Sequence, residues 1–455
     1  MFILKNIIEE TSGTLLQGPD TARISGISID SRTLKKGELF VAIKGKYFDG
    51  HRFLKQAIRK KASGLIVCAA SLKIKTKIPI IRVKDTTKAF GQIAYYYRRQ
   101  FDIPLVAVTG SNGKTTTKEM IAAVLGRRYR VLKNQATQNN FLGVPRTLLQ
   151  LKKSHQMVVL ELGTNHPGEI RWLTQITQPT VSVITNIGDS HLEFLKSRAG
   201  VFREKCDVIR YMPKRGTVIL NADDPFLGRI PSMTKKHKFI FYGWRSHAQS
   251  HATKVRRANN RIHFQLRNEK FQLQTRAFHN VDNALAAISC GRLFKIRYNE
   301  IKTALNRFSF LKGRQNLMRI AGFWIMDDTY NSNPTSLRSA LETFRQIGNK
   351  GRKIIICGDM LELGNASEKL HRQAGETVGT IAPDMLIAIG RYSSSVVQGF
   401  RRTNKASLAY GYSSVQKAFR KLKRYLIRGD LILIKGSRGL RLERMISLIK
   451  NEYGS

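Results

Sequence analysis

The residues best suited to chemistry form one continuous string, Val108-Thr109-Gly110-Ser111-Asn112-Gly113-Lys114-Thr115-Thr116-Thr117. A short apolar run at 104–108 predicts a buried strand before it, and apolar residues at helical spacing in 118–125 predict a helix after it. A strand, a glycine-rich turn and a helix form the setting of a phosphate-binding loop, where backbone N–H groups and the positive helix end surround an anion. The residues expected to bind phosphate are Gly110, Ser111, Asn112, Gly113, Lys114, Thr115 and Thr116.

The string departs in one respect from the general nucleotide-loop pattern Gly-x-x-x-x-Gly-Lys-Ser/Thr, because Val108 stands at the first glycine position. The alternative interpretation is a polar turn followed by a threonine-rich helix start. We favour the phosphate loop, since a lysine and three threonines are otherwise a poor choice for helix stability. In such a loop Lys114 would reach the terminal phosphates, and the Thr115 hydroxyl would bind Mg²⁺.

Further candidates lie at the ends of predicted strands or on nearby loops, where open α/β sheets bind ligands. Glu161 ends an apolar strand at 157–161, and Mg²⁺ takes one or two carboxylates together with phosphate oxygens. His191 follows another strand, Lys205 lies in a later polar segment, and Asn139-Asn140 precedes a glycine and a proline. Taken singly, each has an ordinary alternative: a solvated strand end, a loop histidine, a surface lysine and a turn.

The elements that must position these residues alternate between strands and helices. In the first 83 residues, strands are expected at 27–32, 37–43, 64–68 and 78–83, with a helix at 53–62. The stretch Asp30-Ser31-Arg32 ends the first of these strands and, taken alone, has a plain turn as its alternative. Between 84 and 312 we expect strands at 157–161, 180–185 and 217–221, helices at 86–99 and 279–294, and a strand hairpin at 254–276.

Residues 313–455 repeat the alternation. Strands are expected at 323–327, 353–357, 385–389 and 431–435, with helices at 334–346, 369–380 and 415–428. We therefore predict an α/β protein of three domains: a small α/β domain at 1–83, a central parallel-sheet domain with the phosphate loop at 84–312, and a Rossmann-like α/β domain at 313–455.

The composition is that of an ordinary globular protein, with 42% hydrophobic and 9% aromatic residues in 455. The four cysteines are far apart and match no metal-binding spacing, which indicates reduced thiols in a cytosolic protein. Residues 1–6 lack the apolar region of a signal peptide, and no apolar run approaches the roughly 18 residues of a membrane span. We therefore expect a cytoplasmic protein without membrane insertion.

The charge is unusual, because 79 Lys and Arg residues against 31 Asp and Glu give a formal net charge of +48. Such an excess suits anionic ligands, nucleic acid or acidic membrane surfaces. The alternative is a solvated basic surface that reflects a compositional bias of the host. We favour the solvated basic surface and expect no specific nucleic-acid partner, since the basic residues are spread along the chain without a nucleic-acid-binding motif.

Together these clusters resemble the Mur ligases, ATP-dependent ligases that form amide bonds in peptidoglycan synthesis, and the resemblance covers essentially the whole chain. The most specific strings are Tyr330-Asn331-Ser332-Asn333-Pro334 and Asp359-Met360-Leu361-Glu362-Leu363-Gly364. Within the family they favour the member that adds D-alanyl-D-alanine to UDP-N-acetylmuramoyl-tripeptide. The substrate motif of the diaminopimelate- or lysine-adding member is not found here.

The resemblance implies a UDP-substrate-binding first domain, a central ATP-binding domain and a C-terminal ligase domain, with ATP and Mg²⁺ as cofactors. It implies catalysis by Lys114, Glu161, His191 and Lys205. Thr115 and Glu161 would hold one Mg²⁺, and His191 and Lys205 a second, with Lys205 acting only as a carbamate. The expected nucleotide contacts outside the loop are Asn280, Asn283, Arg314 and Asp328. The expected substrate-binding residues are Ser31, Arg32, Asp49, Gly50, His51, Asn139, Asn140, Asn331, Asn333, Lys435 and Ser437.

The implied reaction passes the γ-phosphate of ATP to the terminal carboxylate of the tripeptide, and the amine of D-alanyl-D-alanine then attacks the acyl phosphate. We expect a monomer. The sequence departs from the family at Ala277, Ser190 and Cys206-Asp207, but none of these changes removes an expected ligand. Two other functions stay open: a folylpolyglutamate synthetase, which lacks a domain like 1–83, and a nucleic-acid-binding ATPase, suggested by the charge.

Overall fold

The computed structural model describes residues 2–45, 48–68, 74–135, 137–258, 260–348 and 351–454. It confirms the predicted α/β fold in three domains, in which successive sheets are built from successive parts of the chain. In the described parts, no helix is both long enough and apolar enough to span a membrane.

The first sheet has the strand order β2-β7-β6-β5-β4, and a separate pair joins β1 to β3. The elements are β1 (Phe2–Ile3), α1 (Leu4–Thr11), β2 (Thr14–Gln17), β3 (Arg23–Ile24), β4 (Gly26–Ser28), β5 (Glu38–Val41), α2 (Leu54–Arg59), β6 (Gly64–Val67) and β7 (Ile80–Arg82). The strand expected over 27–32 was too long, because β4 ends at Ser28. The Asp30 carboxylate accepts hydrogen bonds from the backbone and side chain of Arg32, which closes a turn instead.

The central sheet has the order β16-β15-β14-β13-β12-β11-β8-β10-β9. Its elements begin with α3 (Thr86–Arg98), β8 (Leu105–Thr109), α4 (Lys114–Leu125), β9 (Val131–Lys133), α5 (Gly143–Leu148), β10 (Met157–Glu161), α6 (Glu169–Thr177), β11 (Val181–Ile184), α7 (Leu192–Leu195) and α8 (Arg198–Arg210). They continue with β12 (Thr217–Asn221), α9 (Ile230–Met233), β13 (Lys238–Gly243), β14 (Ser250–Ala258), β15 (Arg261–Leu266), β16 (Glu269–Leu273), α10 (His279–Leu293) and α11 (Tyr298–Asn306).

Strands β8 to β13 of this sheet run parallel, whereas β14, β15 and β16 form an antiparallel meander. The sequence predicted a two-stranded hairpin over 254–276, but the structure has three strands there. A second turn at Arg267, which is in the left-handed conformation, leads into β16. The two faces of β8 are both covered. Val106 and Val108 pack in the core with α4 and α10, while Leu105 and Ala107 pack in the core with α5, α6 and α8.

The third sheet has the order β17-β18-β22-β19-β20-β21 and is parallel except for β17. Its elements are β17 (Asn316–Ile320), β18 (Phe323–Asp328), α12 (Pro334–Arg345), β19 (Lys353–Gly358), α13 (Ser367–Gly379), β20 (Met385–Ile389), α14 (Ser393–Thr403), β21 (Leu408–Tyr412), α15 (Val415–Leu422), β22 (Leu431–Lys435) and α16 (Glu443–Tyr453). The helix expected over 415–428 ends at Leu422. Arg352 donates to the Tyr425 carbonyl and to Asp430, which holds the following residues as a turn.

Candidate active site

A cleft of about 710 Å³ lies where residues of all three domains meet, at the carboxyl ends of β8, β10 and β11 and of β18 and β22. This is the edge at which open parallel sheets bind ligands. The expected site residues that line it are Ser111, Asn112, Gly113, Lys114, Thr115, Thr116, Asn139, Asn140, Glu161, His191, Asn280, Asn283, Arg314, Asp328, Asn331, Asn333 and Lys435.

The turn between β8 and α4 depends on its two glycines. Gly110 and Gly113 have φ angles of 141° and 79°, a region that strains other residues. A Cβ atom at Gly110 would lie 1.9 Å from the hydroxyl of Thr185, and one at Gly113 would lie 2.5 Å from Oδ1 of Asn283. Both positions therefore require glycine. Gly110 determines the conformation of the loop but does not line the cleft.

The loop is tied to the strand end next to it. The backbone N–H groups of Ser111 and Asn112 donate to the carbonyl and the side-chain oxygen of Asn186, each at 2.9 Å. The Thr185 hydroxyl donates to the Asn112 carbonyl at 2.6 Å. These bonds fix the loop before any anion arrives, which lowers the cost of binding one. Lys114 lies across this loop, with its ammonium donating to the Ser111 carbonyl at 3.2 Å.

Glu161 ends β10 beside the loop, with its backbone in register with Val108 of β8. Its Oε1 atom accepts a hydrogen bond of 2.8 Å from Asn139, and its Oε2 atom is buried without a partner among the described residues. A buried carboxylate oxygen without a partner is costly unless a cation or a donor reaches it. This oxygen is therefore a suitable ligand for a cation in the cleft.

Lys205 of α8 is fully buried, and its Nζ atom has no hydrogen-bond partner among the described residues. Burial, followed by repulsion from Lys114, holds the pKa of Lys205 well below its usual value, so its amine is more often neutral. Lys118 provides a contrast, because it is equally buried but donates to the Asn134 carbonyl and pairs with Glu119. Lys205 lies beneath the cleft lining, close enough to interact electrostatically with Glu161.

His191 lines the cleft after β11 and contacts Glu362, which follows β19 of the third sheet. Burial is the main cause that lowers the pKa of His191, while the hydrogen bond to Glu362 opposes it. The same hydrogen bond lowers the pKa of Glu362. At neutral pH the arrangement is therefore a neutral imidazole held by a carboxylate.

The residues present fit a magnesium ion, although no three His, Cys, Asp or Glu side chains converge as a metal site in the described parts of the chain. Mg²⁺ usually keeps several waters and binds through one or two carboxylates plus substrate phosphates, so a dedicated cage is not required. The unpartnered Oε2 of Glu161 supplies the carboxylate oxygen. The Thr115 hydroxyl accepts a 2.9 Å hydrogen bond from Arg314, which places it at the same cleft.

The third domain covers the loop with charged and amide side chains. The Arg314 guanidinium lies 4.0 Å from the centre of the Tyr330 ring, a cation–π contact. Lys435 is buried and donates to Asp328 at 2.7 Å and to the Asn331 carbonyl at 2.9 Å. This ion pair links the carboxyl ends of two adjacent strands, β18 and β22, and holds the loop that follows β18 in place.

The opposite end of the cleft is lined by α10. The Asn283 side chain accepts a hydrogen bond from Thr117 and donates to Asn280 at 2.9 Å. Burial lowers the pKa of His279 to about 4, and its Nδ1 atom lies 3.0 Å from the Ser339 hydroxyl of the third domain. These amide groups form a polar surface suited to a purine base.

Several expected residues lie elsewhere. Ser31, Arg32, Asp49, Gly50 and His51 are in the first domain and do not line the cleft. Ser31 donates to Gln56 at 2.8 Å, and His51 lies between Asp49 and the Cys68 backbone N–H.

Ser437 also lies behind the cleft. Its hydroxyl donates to the Ser332 carbonyl and accepts from the Leu361 N–H, joining the two most specific strings of the sequence.

The residues at or beside the cleft that the sequence analysis did not assign to the site include Glu362, Asp282 and Lys44. Burial raises the pKa of Asp282 to about 7, and the Trp244 indole N–H donates to its carboxylate. A signal for Glu362 was present, because its string follows a strand of the third sheet at the ligand-binding edge. Lys44 comes from the first domain, and no local pattern marks it.

The fold and the cleft define an ATP-dependent ligase that forms amide bonds, with a phosphate loop in a central domain and further domains on either side. The chain belongs to the Mur ligase family. Residues 23–98 match the Mur ligase family catalytic domain, residues 108–291 the Mur ligase middle domain, and residues 313–438 the Mur ligase glutamate ligase domain.

The similarity extends over the full length of known relatives. The chain is 33% identical over 447 residues to UDP-N-acetylmuramoyl-tripeptide–D-alanyl-D-alanine ligase of Bacillus subtilis, covering 97% of each chain. It superposes on MurF of Acinetobacter baumannii with a TM-score of 0.90 and 32% identity over 99% of both chains. MurF of Thermotoga maritima in complex with ADP gives a TM-score of 0.84 at 25% identity, covering 94% of this chain and 98% of that one.

Proposed function

We propose that this protein joins D-alanyl-D-alanine to UDP-N-acetylmuramoyl-tripeptide with ATP, through an acyl phosphate, in cytoplasmic peptidoglycan precursor synthesis. The observation that carries the proposal is the shared cleft, in which the phosphate loop faces Asn331, Asn333 and Lys435 of the third domain. Full-length similarity to ligases of that name supports the choice of substrates.

The first step activates the acceptor. An oxygen of the tripeptide's terminal carboxylate attacks the γ-phosphorus of ATP, the bond to the β,γ-bridging oxygen breaks, and ADP leaves with that electron pair. The loop N–H groups and Lys114 stabilise charge on the transferred group, which is the main contribution a protein makes to phosphoryl transfer. Activation is needed because oxide is too poor a leaving group for direct attack by an amine.

The second step forms the amide. The neutral amine of D-alanyl-D-alanine attacks the acyl carbon, the C–O bond to phosphate breaks, phosphate leaves with the electron pair, and the nitrogen releases one proton to solvent. Most of the acceleration expected here comes from holding the amine and the acyl group in line. We assign the binding of this amine to the loop that contains Asn331 and Asn333. Asn333 caps α12, and its side chain contacts Asn112 of the phosphate loop.

We propose two Mg²⁺ sites, one held by Thr115 and Glu161 and one held by His191 and a carbamate of Lys205. When bound, Mg²⁺ neutralises phosphate charge and orients the phosphate oxygens. An unmodified lysine has three donors and no acceptor, so Lys205 can bind a cation only after carbon dioxide has added to its neutral amine. Its unpartnered, fully buried Nζ atom supports this assignment.

The remaining assignments rest on the resemblance of the sequence to the Mur ligases. We propose that Ser31, Arg32, Asp49, Gly50 and His51 bind the UDP end of the substrate in a domain spanning 1–83. We propose that Asn280 and Asn283 face the adenine, and that 84–312 and 313–455 are the other two domains. A monomer is proposed because one chain supplies every part of the cleft.

The test is a coupled phosphate-release assay with UDP-N-acetylmuramoyl-tripeptide, D-alanyl-D-alanine and ATP. We expect release that requires both substrates and yields one pentapeptide per phosphate, verified by mass spectrometry. Tripeptides ending in diaminopimelate or lysine are compared in parallel, which decides the third residue. Release driven by folate and glutamate, or by nucleic acid alone, would contradict the proposal. Analytical ultracentrifugation tests the monomer.

A further inference from the structure

One of the side-chain contacts between the third domain and the candidate metal site of the central domain joins Glu362 to His191. Nδ1 of His191 lies 2.5 Å from Oε2 of Glu362. A carboxylate only accepts hydrogen bonds, so the ring proton is assigned to Nδ1 and the lone pair is on Nε2. No described residue forms a hydrogen bond with that Nε2 atom, and His191 lines the cleft.

Backbone contacts support this pair on both sides. The N–H of Glu193 donates to the Glu362 carbonyl at 3.0 Å. Gly364 lets the two chains approach, because a Cβ atom there would lie 2.9 Å from Cα of Glu193. Leu192 packs against the hydrophobic core of the third domain. The turn that contains Glu362 therefore packs directly against the segment that contains His191.

Both members of the pair have a strained backbone. The φ angles of His191 and Glu362 are 54° and 64°, in the left-handed region that residues with side chains seldom adopt. Such a conformation is unfavourable for residues with side chains and persists only where the surroundings impose it. The contacts between the two segments therefore hold both residues in this conformation.

We propose that Glu362 is a positioning residue that orients His191 for Mg²⁺, and that it does so only when the third domain is closed on the central domain. The inference rests on the proposed role of His191 as a metal ligand. A carboxylate behind a metal-binding histidine fixes the ring orientation and raises the basicity of the free nitrogen.

The two residues belong to different sheets, because His191 follows β11 and Glu362 follows β19. Any separation of the domains therefore breaks the pair and leaves the imidazole free to rotate. Coupling between two equilibria is reciprocal, so closure tightens metal binding and metal binding favours closure by the same factor.

The experiment measures binding of Mn²⁺, as a paramagnetic probe for Mg²⁺, by electron paramagnetic resonance with saturating ADP. The affinity lost in His191→Gln identifies the relevant site. Glu362→Ala should weaken that site about 10- to 100-fold, the range typical for partners of metal ligands. Glu362→Gln should give a smaller loss, because its amide oxygen still accepts the Nδ1 proton.

Gly364→Val tests closure separately, since it keeps every donor group but prevents the turn from docking; it should also weaken Mn²⁺ binding. The matched control is Gln346→Ala, which removes a side-chain contact between Arg257 and Gln346 that joins the same two domains outside the cleft. This variant should bind Mn²⁺ as the unmodified protein does.

A second measurement reports the tautomer. In nitrogen-15 NMR, the His191 signal, assigned by its absence in His191→Gln, should show the Nδ1–H form and become mixed in Glu362→Ala. Unchanged Mn²⁺ affinity in folded Glu362→Ala, with weakened binding in His191→Gln, would overturn the role of Glu362 and leave the proposed metal site standing. Unchanged affinity in His191→Gln as well would remove both. Unchanged affinity in Gly364→Val would overturn the coupling to closure.

Discussion

Asn333, which caps α12 in the third domain, donates a 2.9 Å side-chain hydrogen bond to Oδ1 of Asn112 in the phosphate loop of the central domain. The same Asn333 side chain accepts from the Ser336 N–H, as a helix cap does. One amide therefore serves a local and a long-range purpose, and the two can be separated by substitution.

Asn333→Ser should keep the helix cap but lose the reach to Asn112, whereas Asn333→Ala loses both. We expect the serine variant to unfold near the wild-type temperature and the alanine variant to lose about 1 kcal/mol. Both should raise KM for ATP, because the phosphate loop loses its link to the third domain. Thermal unfolding and initial-rate kinetics measure the two effects. An alanine variant with normal kinetics would show that the link is not used.

Lys114→Ala should reduce ligation at least 100-fold while the fold survives, because it removes charge stabilisation at the transferred phosphate and little core packing. Phosphate release and circular dichroism are measured on the same sample. Lys133→Ala is the control, since Lys133 is exposed and pairs with Glu119 of α4, the same helix that begins at Lys114. Near-normal turnover in Lys114→Ala would contradict the loop assignment.

The acceptor site should prefer a dipeptide amine. The Asn331–Asn333 loop and the string at 359–364 are tied together through Ser437, which leaves a defined acceptor region. D-Alanyl-D-alanine should be used far better than diaminopimelate, lysine or glutamate in competition assays with product analysis. Equal use of a single amino acid would assign the chain to a sister ligase.

Lys205 should carry a carbamate. After equilibration with carbon-13 bicarbonate, the protein should show a carbamate resonance that disappears in Lys205→Arg, together with a large loss of activity. Lys118→Arg is the matched control, because Lys118 is equally buried but its amine already has partners. No carbamate signal in the unmodified protein, with full activity in Lys205→Arg, would leave Lys205 as a structural residue.

Asp282→Asn should remove part of the pH dependence of stability. Burial raises the pKa of Asp282 to about 7, so between about pH 4 and pH 7 the folded state holds a proton that the unfolded state has lost. Stability from this group is therefore present at low pH and is lost as pH rises through 7. Because an asparagine side chain does not titrate, the stability of the variant relative to the unmodified protein should increase between pH 5 and pH 8.

Chemical denaturation at pH 5 and pH 8 measures the Asp282 effect. The exposed Asp102→Asn serves as the control and should shift both curves equally. A pH dependence in Asp282→Asn identical to that of the unmodified protein would show that the Asp282 carboxyl titrates normally.

The sequence by itself determined the local parts of this protein. The phosphate loop could be recognised because its glycines, its lysine and the start of the following helix all lie within ten consecutive residues, 108–117. Glu161 could be placed at a ligand-binding edge because the apolar run before it is a parallel strand, and carboxyl ends of such strands share one edge. The alternation of strands and helices also predicted the three-domain α/β fold.

Only the tertiary structure decided which side chains meet across distant segments. Asn112 and Asn333 are 221 positions apart, and His191 and Glu362 are 171 apart, so no local pattern marks either pair. That Nζ of Lys205 has no hydrogen-bond partner in the described parts of the chain is likewise a property of its buried surroundings, and neighbouring residues in the sequence do not indicate it. Helix α15 ends early for the same reason. Arg352, which precedes β19, donates to the Tyr425 carbonyl, and helix propensity does not include that contact.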